Sequence, residues 1–134
     1  MINPQNHITN RVREVLSPVE VWSNRVPRGI DTPESYIIVS DMNLSETAQS
    51  KREYEWIVGF NLDITSVVGL GYDAQDIVND IVEDVIPKMK SLTDDVVEIK
   101  NVDLIASRSM TFDTSTNSIT RQILTYEIWV NYGD

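Results

Sequence analysis

"EYEWIVGFNLDI", residues 53–64, decides how this chain folds. Tyr54, Trp56, Val58, Phe60, Leu62 and Ile64 fill successive even positions, and Glu53, Glu55, Asn61 and Asp63 fall between them. Side chains of an extended backbone alternate sides, so this period of two predicts a long β-strand with one buried face. Ile57 and Gly59 are the exceptions on the polar side.

The residues that follow carry a motif. Gly69-Leu70-Gly71-Tyr72-Asp73-Ala74 fits the dinucleotide-binding pattern G-x-G-x-x-G/A between a strand-like and a helix-like run. That loop works in a parallel unit whose first strand is apolar on both faces. Asn61 and Asp63 break the requirement. Phosphate would sit at the N-terminus of the next helix, where Asp73 and Asp76 already place negative charge. These acids serve better as an N-cap and a first turn that complements the helix dipole. Gly69 and Gly71 then read as the bend between the long strand and a helix. Ile77, Val78, Ile81, Val82, Val85, Ile86 and Met89 give that helix an apolar stripe from about Asp73, with Pro87 expected to kink or shorten its last turn.

Upstream, Ile8, Val12, Val15 and Leu16 predict a helix over Pro4–Leu16, capped by Asn3 and stopped at Ser17-Pro18. A short strand is expected over Val19–Ser23 and a buried one over Ser35–Asp41. Asn24–Ser35 and residues 42–52 read as loops. Downstream, Val96–Ile99 and Val102–Phe112 read as strand, with a parity change near Asn101 that suggests a bulge. Asp113–Ser118 is a turn. Thr120, Gln122, Leu124, Tyr126, Ile128, Val130 and Tyr132 then alternate along a final strand, completing a hairpin. The expected fold is one α+β domain over residues 1–134: an antiparallel sheet of about four to five strands with two helices packed on one face.

Composition narrows the function classes. With no cysteine, the chain has no disulfide framework, thiolate zinc site or Cys nucleophile. A net charge of -10 argues against wrapping nucleic acid, which needs clustered Lys and Arg. No apolar run reaches the roughly 20 residues of a membrane span. The start lacks the apolar core of a signal peptide, so cytosolic synthesis is expected.

Candidate chemistry is sparse. Asp76, Asp80 and Glu83 share a helical face with Asp84 beside them, and without converging partners they read as a solvated face rather than a metal cluster. His7 has no evident acid or nucleophile partner in sequence and reads as a surface residue. No catalytic residue, cofactor or metal is assigned. Interaction signals are stronger. Ile123 and Trp129 on the final strand, with Ile57 on the long one, are apolar on the nominally polar face, which calls for a covering helix, such as the first one, or a partner subunit. Arg25, Arg28, Lys51 and Arg52 concentrate positive charge in the two loops of an acidic chain, so like subunits could pair these loops with a neighbour's acidic helix face.

Several stretches in this order resemble the tail terminator (tail completion, head–tail joining) proteins of tailed bacteriophages. They are "VWSNRVPRGIDTPESYIIVSD", "YEWIVGFNLDI", "GYDAQDIVNDIVEDVI" and "MTFDTSTNSITRQILTYEIWVNY", preceded by an N-terminal helix. The resemblance covers nearly the whole chain. It implies a non-enzymatic virion subunit, assembled in the host cytoplasm into a ring, usually a hexamer. That ring caps the tail tube protein and meets the head connector or neck protein, with genomic DNA passing through the lumen. Six copies would carry roughly -60, an acidic lumen past which DNA slides. The extended 42–52 loop and Pro87 depart from many relatives and bear on the partner surface. Alternatives are another neck or baseplate ring and, from a different class, a small cytosolic nucleotide-binding enzyme built on Gly69 and Gly71.

Overall fold

The computed structural model describes residues 4–29, 33–46 and 54–132. Two helices and five strands follow in the order α1 (Pro4–Leu16), β1 (Val21–Ser23), β2 (Ser35–Glu46), β3 (Tyr54–Gly69), α2 (Ala74–Lys90), β4 (Glu98–Asp113) and β5 (Asn117–Tyr132). The strands form a single sheet in the spatial order β1-β2-β3-β5-β4. Three of its four neighbouring pairs are antiparallel, and β1 lies parallel to β2. The α+β expectation holds, with that one parallel pair as a refinement. No helix among the described residues is long and apolar enough to cross a membrane.

The alternation of residues 54–64 does what its period requires. Val58, Phe60, Leu62 and Ile64 are buried on one face of β3 and meet Leu124, Tyr126, Ile128 and Val130 of β5. The two strands pair without interruption from Tyr54↔Tyr132 to Gly69↔Asn117. Both helices lie on this face: Ile8, Val12 and Leu16 of α1 and Val78, Val85 and Met89 of α2 complete the core. Each helix carries its apolar residues on one stripe and leaves the opposite side to solvent.

β3 continues through Ser66, Val67 and Val68 to Gly69, where the expected glycine bend begins, because Ser35 and Tyr36 of β2 on one side and Ile119 and Thr120 of β5 on the other keep its hydrogen-bonding edges occupied. Three sequence expectations change. β2 extends to Glu46 where a loop was expected from residue 42. A register shift between Ser40 and Asn43, with Asp41 at φ 53, absorbs the irregularity. Beyond it Met42 and Leu44 pack against the core. The side chain of Asn43 lies across Gly59, where an added Cβ would come within 2.8 Å of its Oδ1, so a larger residue at this position requires the Asn43 side chain to move aside. β1 begins at Val21 rather than Val19. Finally, α2 passes Pro87 and ends at Lys90, with the Ser91 N–H donating to the Pro87 carbonyl. The proline ring lies on the exposed side of the helix, and the Asp84–Lys88 ion pair (2.8 Å) spans it.

The bulge expected near Asn101 is present as a register shift between Ile99 and Asn101, and a second lies between Leu104 and Ala106. The β4–β5 turn is closed by Thr114: its N–H donates to the Asn117 carbonyl (2.8 Å), and its Oγ1 accepts from the Asn117 N–H (3.0 Å).

Tyr126 supplies a stability prediction. Its ring stacks on Phe60, centroids 6.0 Å apart, and its buried hydroxyl has no hydrogen-bond partner among the described residues. Burial pushes the phenol up to about 12. Tyr126→Phe is expected to be neutral or stabilising by up to about 1 kcal/mol in urea unfolding at pH 7, since a desolvated, unpaired hydroxyl is removed. The unfolded phenol ionises near 10, so the contribution of Tyr126 is intact below that pH and is lost as the pH climbs towards 12. The Phe variant should therefore lose less stability than the wild type between pH 10 and 12. A measured loss above 1 kcal/mol at pH 7 would show that the hydroxyl is paired.

Candidate assembly surface

The glycine loop is a turn that starts a helix. Tyr72 N–H donates to the Gly69 carbonyl (3.2 Å), and Gly71 sits at φ +97, a left-handed conformation that a side chain would strain. Asp73 caps α2: its Oδ1 accepts from the N–H groups of Gln75 (3.0 Å) and Asp76 (3.2 Å). An N-cap of this kind contributes on the order of 1 kcal/mol. Its carboxylate occupies the amides that a phosphate would use, and its charge lifts the Asp76 carboxyl above the ordinary carboxylate range. The strand before the loop, β3, pairs antiparallel on both sides, and β4, which follows α2 and runs parallel to β3, is separated from it by β5, so the two are not the adjacent parallel strands of a dinucleotide-binding unit.

Asp76, Asp80, Glu83 and Asp84 are exposed on the outer side of α2. Among the described residues, no three acids, histidines or cysteines are arranged to hold a metal ion. His7 differs from expectation. Its Nδ1 lies 3.9 Å from Asp94 Oδ2, in a cleft between α1 and residues 93–96, where Arg11 Nε also donates to the Thr93 carbonyl (2.6 Å). Asp94 came near through the fold, 87 positions along the chain. This contact ties α1 to the segment entering β4.

The candidate interface residues separate into two places. Arg25 and Arg28 are exposed just after β1, at one edge of the sheet. Arg13 anchors the same edge, donating from Nε to the Val21 carbonyl (3.1 Å). Lys51 and Arg52 lie outside the described residues. Ile123 and Trp129 are on β5, on the sheet face opposite the helices, so α1 does not cover them. Their register neighbours are Asp63 and Arg108 for Ile123, and Ile57 and Asn101 for Trp129. Ile123 is only 7% exposed and Trp129 is partly buried.

That helix-free face is held by polar links across strands. Arg121 forms an ion pair with Asp63, whose Oδ1 also accepts from the Thr65 hydroxyl (3.1 Å). The hydrogen bond to Asp63 raises the Arg121 guanidinium above its ordinary value. Asn61 bridges Asp41 on β2 (3.0 Å) and Thr125 on β5 (2.8 Å). Trp22 and Tyr36 meet at 5.6 Å near the β1 edge. A shallow depression of about 300 Å³ lies among Asn43, Ile57, Gly59, Asn61, Ile105 and Glu127.

One surface escaped the sequence reading. β4 forms the outer edge of the sheet, and beyond Asp103 it is exposed on both faces. Leu104 (39%), Ile105 (53%), Met110 (39%) and Phe112 (47%) stand open there. The sequence "DLIASRSMTF" is apolar enough for a buried strand. Its exposure follows from sheet order, which one strand's pattern does not encode.

No protein-family model matches the sequence, and no curated protein matches it. Among solved structures, the fold is similar to a chain in the "Virion of native gene transfer agent (GTA) particle", with a TM-score of 0.66 at 10% identity, covering 95% of this chain and 93% of that one. A second solved chain matches with a TM-score of 0.49 at 12% identity, over 92% of this chain and 89% of that one.

Proposed function

We propose that this protein is a structural subunit of a phage-like virion, and more specifically a ring component at the head–tail junction. In that role it ends the tail tube and joins it to the head connector, with DNA passing through the lumen. The observation that carries the reading is the likeness of fold, end to end, to a chain of a gene transfer agent virion. The tail-terminator resemblance of the sequence supports the finer assignment. The acidic balance of the chain suits a lumen that DNA passes without sticking. The function works through contacts between subunits and with neighbouring rings, without turnover, and the capped Gly69–Asp73 turn fits a hinge of the fold better than a nucleotide site.

Light scattering coupled to size exclusion, followed by electron microscopy, tests this reading. The expected result is a closed ring, formed by the protein alone or on purified tail tubes, that caps tube ends. A protein that stays monomeric in both settings and leaves tube ends uncapped overturns it. Saturable binding of NAD or ATP, lost in Gly71→Val, would move the assignment to the enzyme class.

A further inference from the structure

We infer that the free chain pairs with a second copy of itself through β4, edge to edge and antiparallel, about a two-fold axis at Met110. The inference concerns the chain before it meets other partners and does not rest on the ring reading. The sheet ends in two edges, β1 and β4. β1 is short and already closed: its Val21 carbonyl accepts from Arg13 Nε (3.1 Å), and its Ser23 carbonyl accepts from the Arg25 N–H (2.8 Å). β4 differs. From Ala106 to Asp113 it pairs with β5 in unbroken register, so alternate residues along it turn their N–H and C=O groups outward. Native edges are ordinarily blunted by charges, prolines or bulges. Between the Leu104/Ala106 register shift and Asp113, β4 has no proline, and Arg108 is its single charge.

An open ladder is satisfied by another strand, and the residues of β4 complement themselves. Arg108, Met110 and Phe112 lie on the helix-free face, beside Ile123, Arg121 and Ile119 of β5; Ser107, Ser109, Thr111 and Asp113 lie on the other face. In a two-fold antiparallel contact, each residue faces its mate reciprocally. With the axis at Met110, that side chain meets its own counterpart. Arg108 then lies over the Phe112 ring of the second copy, a cation–π contact made twice. Ser109 meets Thr111, and Ser107 meets the Asp113 carboxylate, so hydroxyls face groups that bond them. The neighbouring registers are worse. An axis at Arg108 opposes two guanidiniums. One at Ser109 sets Asp113 against Ile105 and runs the ladder into the register shift. One at Thr111 carries Arg108 past the end of the opposite strand, which stops at Asp113. Asp76, Asp80 and Glu83 point away from the sheet on a helix that lies over β3 and β5, so two β4 edges approach without opposing those acids. A net charge of -10 on each copy still repels at long range, so the pair tightens as salt rises. An isologous contact of this kind cannot recur between neighbours of a head-to-tail ring. The pair therefore covers the edge of the free chain and opens before a ring closes.

Native mass spectrometry and light scattering at about 100 μM protein and about 0.3 M salt test this. The wild type should be a dimer that dissociates on dilution. Met110→Glu with Phe112→Glu, both exposed positions, should give a monomer with an unchanged circular dichroism spectrum. The chain has no cysteine, so single cysteines report the register whether or not that variant folds. Under mild oxidation Met110→Cys should cross-link to itself. Arg108→Cys should cross-link to Phe112→Cys in a mixture, well above the yield of Arg108→Cys alone. A wild type that is monomeric under these conditions overturns the inference, as does a dimer in which Met110→Cys stays unlinked. The ring reading fails separately. A β4-paired dimer that never caps tail tubes sinks the ring and leaves this pairing, whereas rings that form from a chain showing no such dimer sink the pairing and leave the ring.

Discussion

Phe60→Ala is expected to lower the unfolding free energy by about 3–5 kcal/mol and the melting temperature by roughly 10–20 °C. Phe60 is 2% exposed on the central strand and stacks on Tyr126. It pairs with Tyr126 of β5 in a ladder unbroken on both sides, so that strand cannot close over the void without breaking register. The loss combines burial of the ring, the aromatic contact and a residual cavity. Phe112→Ala is the matched control: Phe112 is 47% exposed on the sheet edge, and its truncation should change stability by no more than about 0.5 kcal/mol. Urea titrations of both variants check the pair. A similar cost for the two would mean that β3 is not the centre of the core.

The second large effect lies on the helix-free face. Arg121→Met should destabilise by about 1–2 kcal/mol, because it leaves the Asp63 carboxylate, 13% exposed at the side chain, without a guanidinium that is itself 39% exposed, while the Thr65 hydroxyl still donates to it. Asp63→Leu together with Arg121→Met should return most of that loss. Replacing a half-buried ion pair by apolar groups of like size is frequently near neutral, whereas a mostly buried carboxylate left without its partner is costly. The interaction energy from the double-mutant cycle should fall at about 1–3 kcal/mol. Additive effects of the two single changes would show that the pair is exposed in solution and does not hold β3 to β5.

Much of the fold was legible because local chemistry and tertiary demand agree. Residues 54–64 are read alike by period and by core, since a one-sided strand has one register that buries its apolar set. Asp73 is a cap in both readings, because its carboxylate serves the free amides of α2 whatever packs around it. The parity change at Asn101 marked a real register shift. The errors fall where partners, rather than local pattern, decide. "MNLSE" is polar enough for a loop, yet it is strand because β3 supplies a ladder and the core takes Met42 and Leu44. Pro87 sits in a helix that continues, because packing of Val85 and Met89 outweighs one missing hydrogen bond.

Of the candidate surface, the sequence supplied the charges and not their places. Arg25 and Arg28 were visible as a basic cluster, and Asp76, Asp80 and Glu83 as an acidic face. Arg25 and Arg28 fall at the β1 edge of the sheet, whereas α2 lies over β3 and β5 and turns its acids away from them. The order β1-β2-β3-β5-β4 inserts β5 between β3 and β4, and it alone leaves β4 at the rim.

By itself the sequence determined the element types, the buried face of β3 and β5, the capped start of α2 and the absence of cysteine chemistry. These depend on periodicity and on groups within a turn of one another. Tertiary structure decided which strand is an edge, which apolar residues remain exposed, that His7 meets Asp94, and that Asp63 is neutralised by Arg121. Those outcomes turn on pairings between residues far apart in the chain, and no local pattern carries the partner's identity.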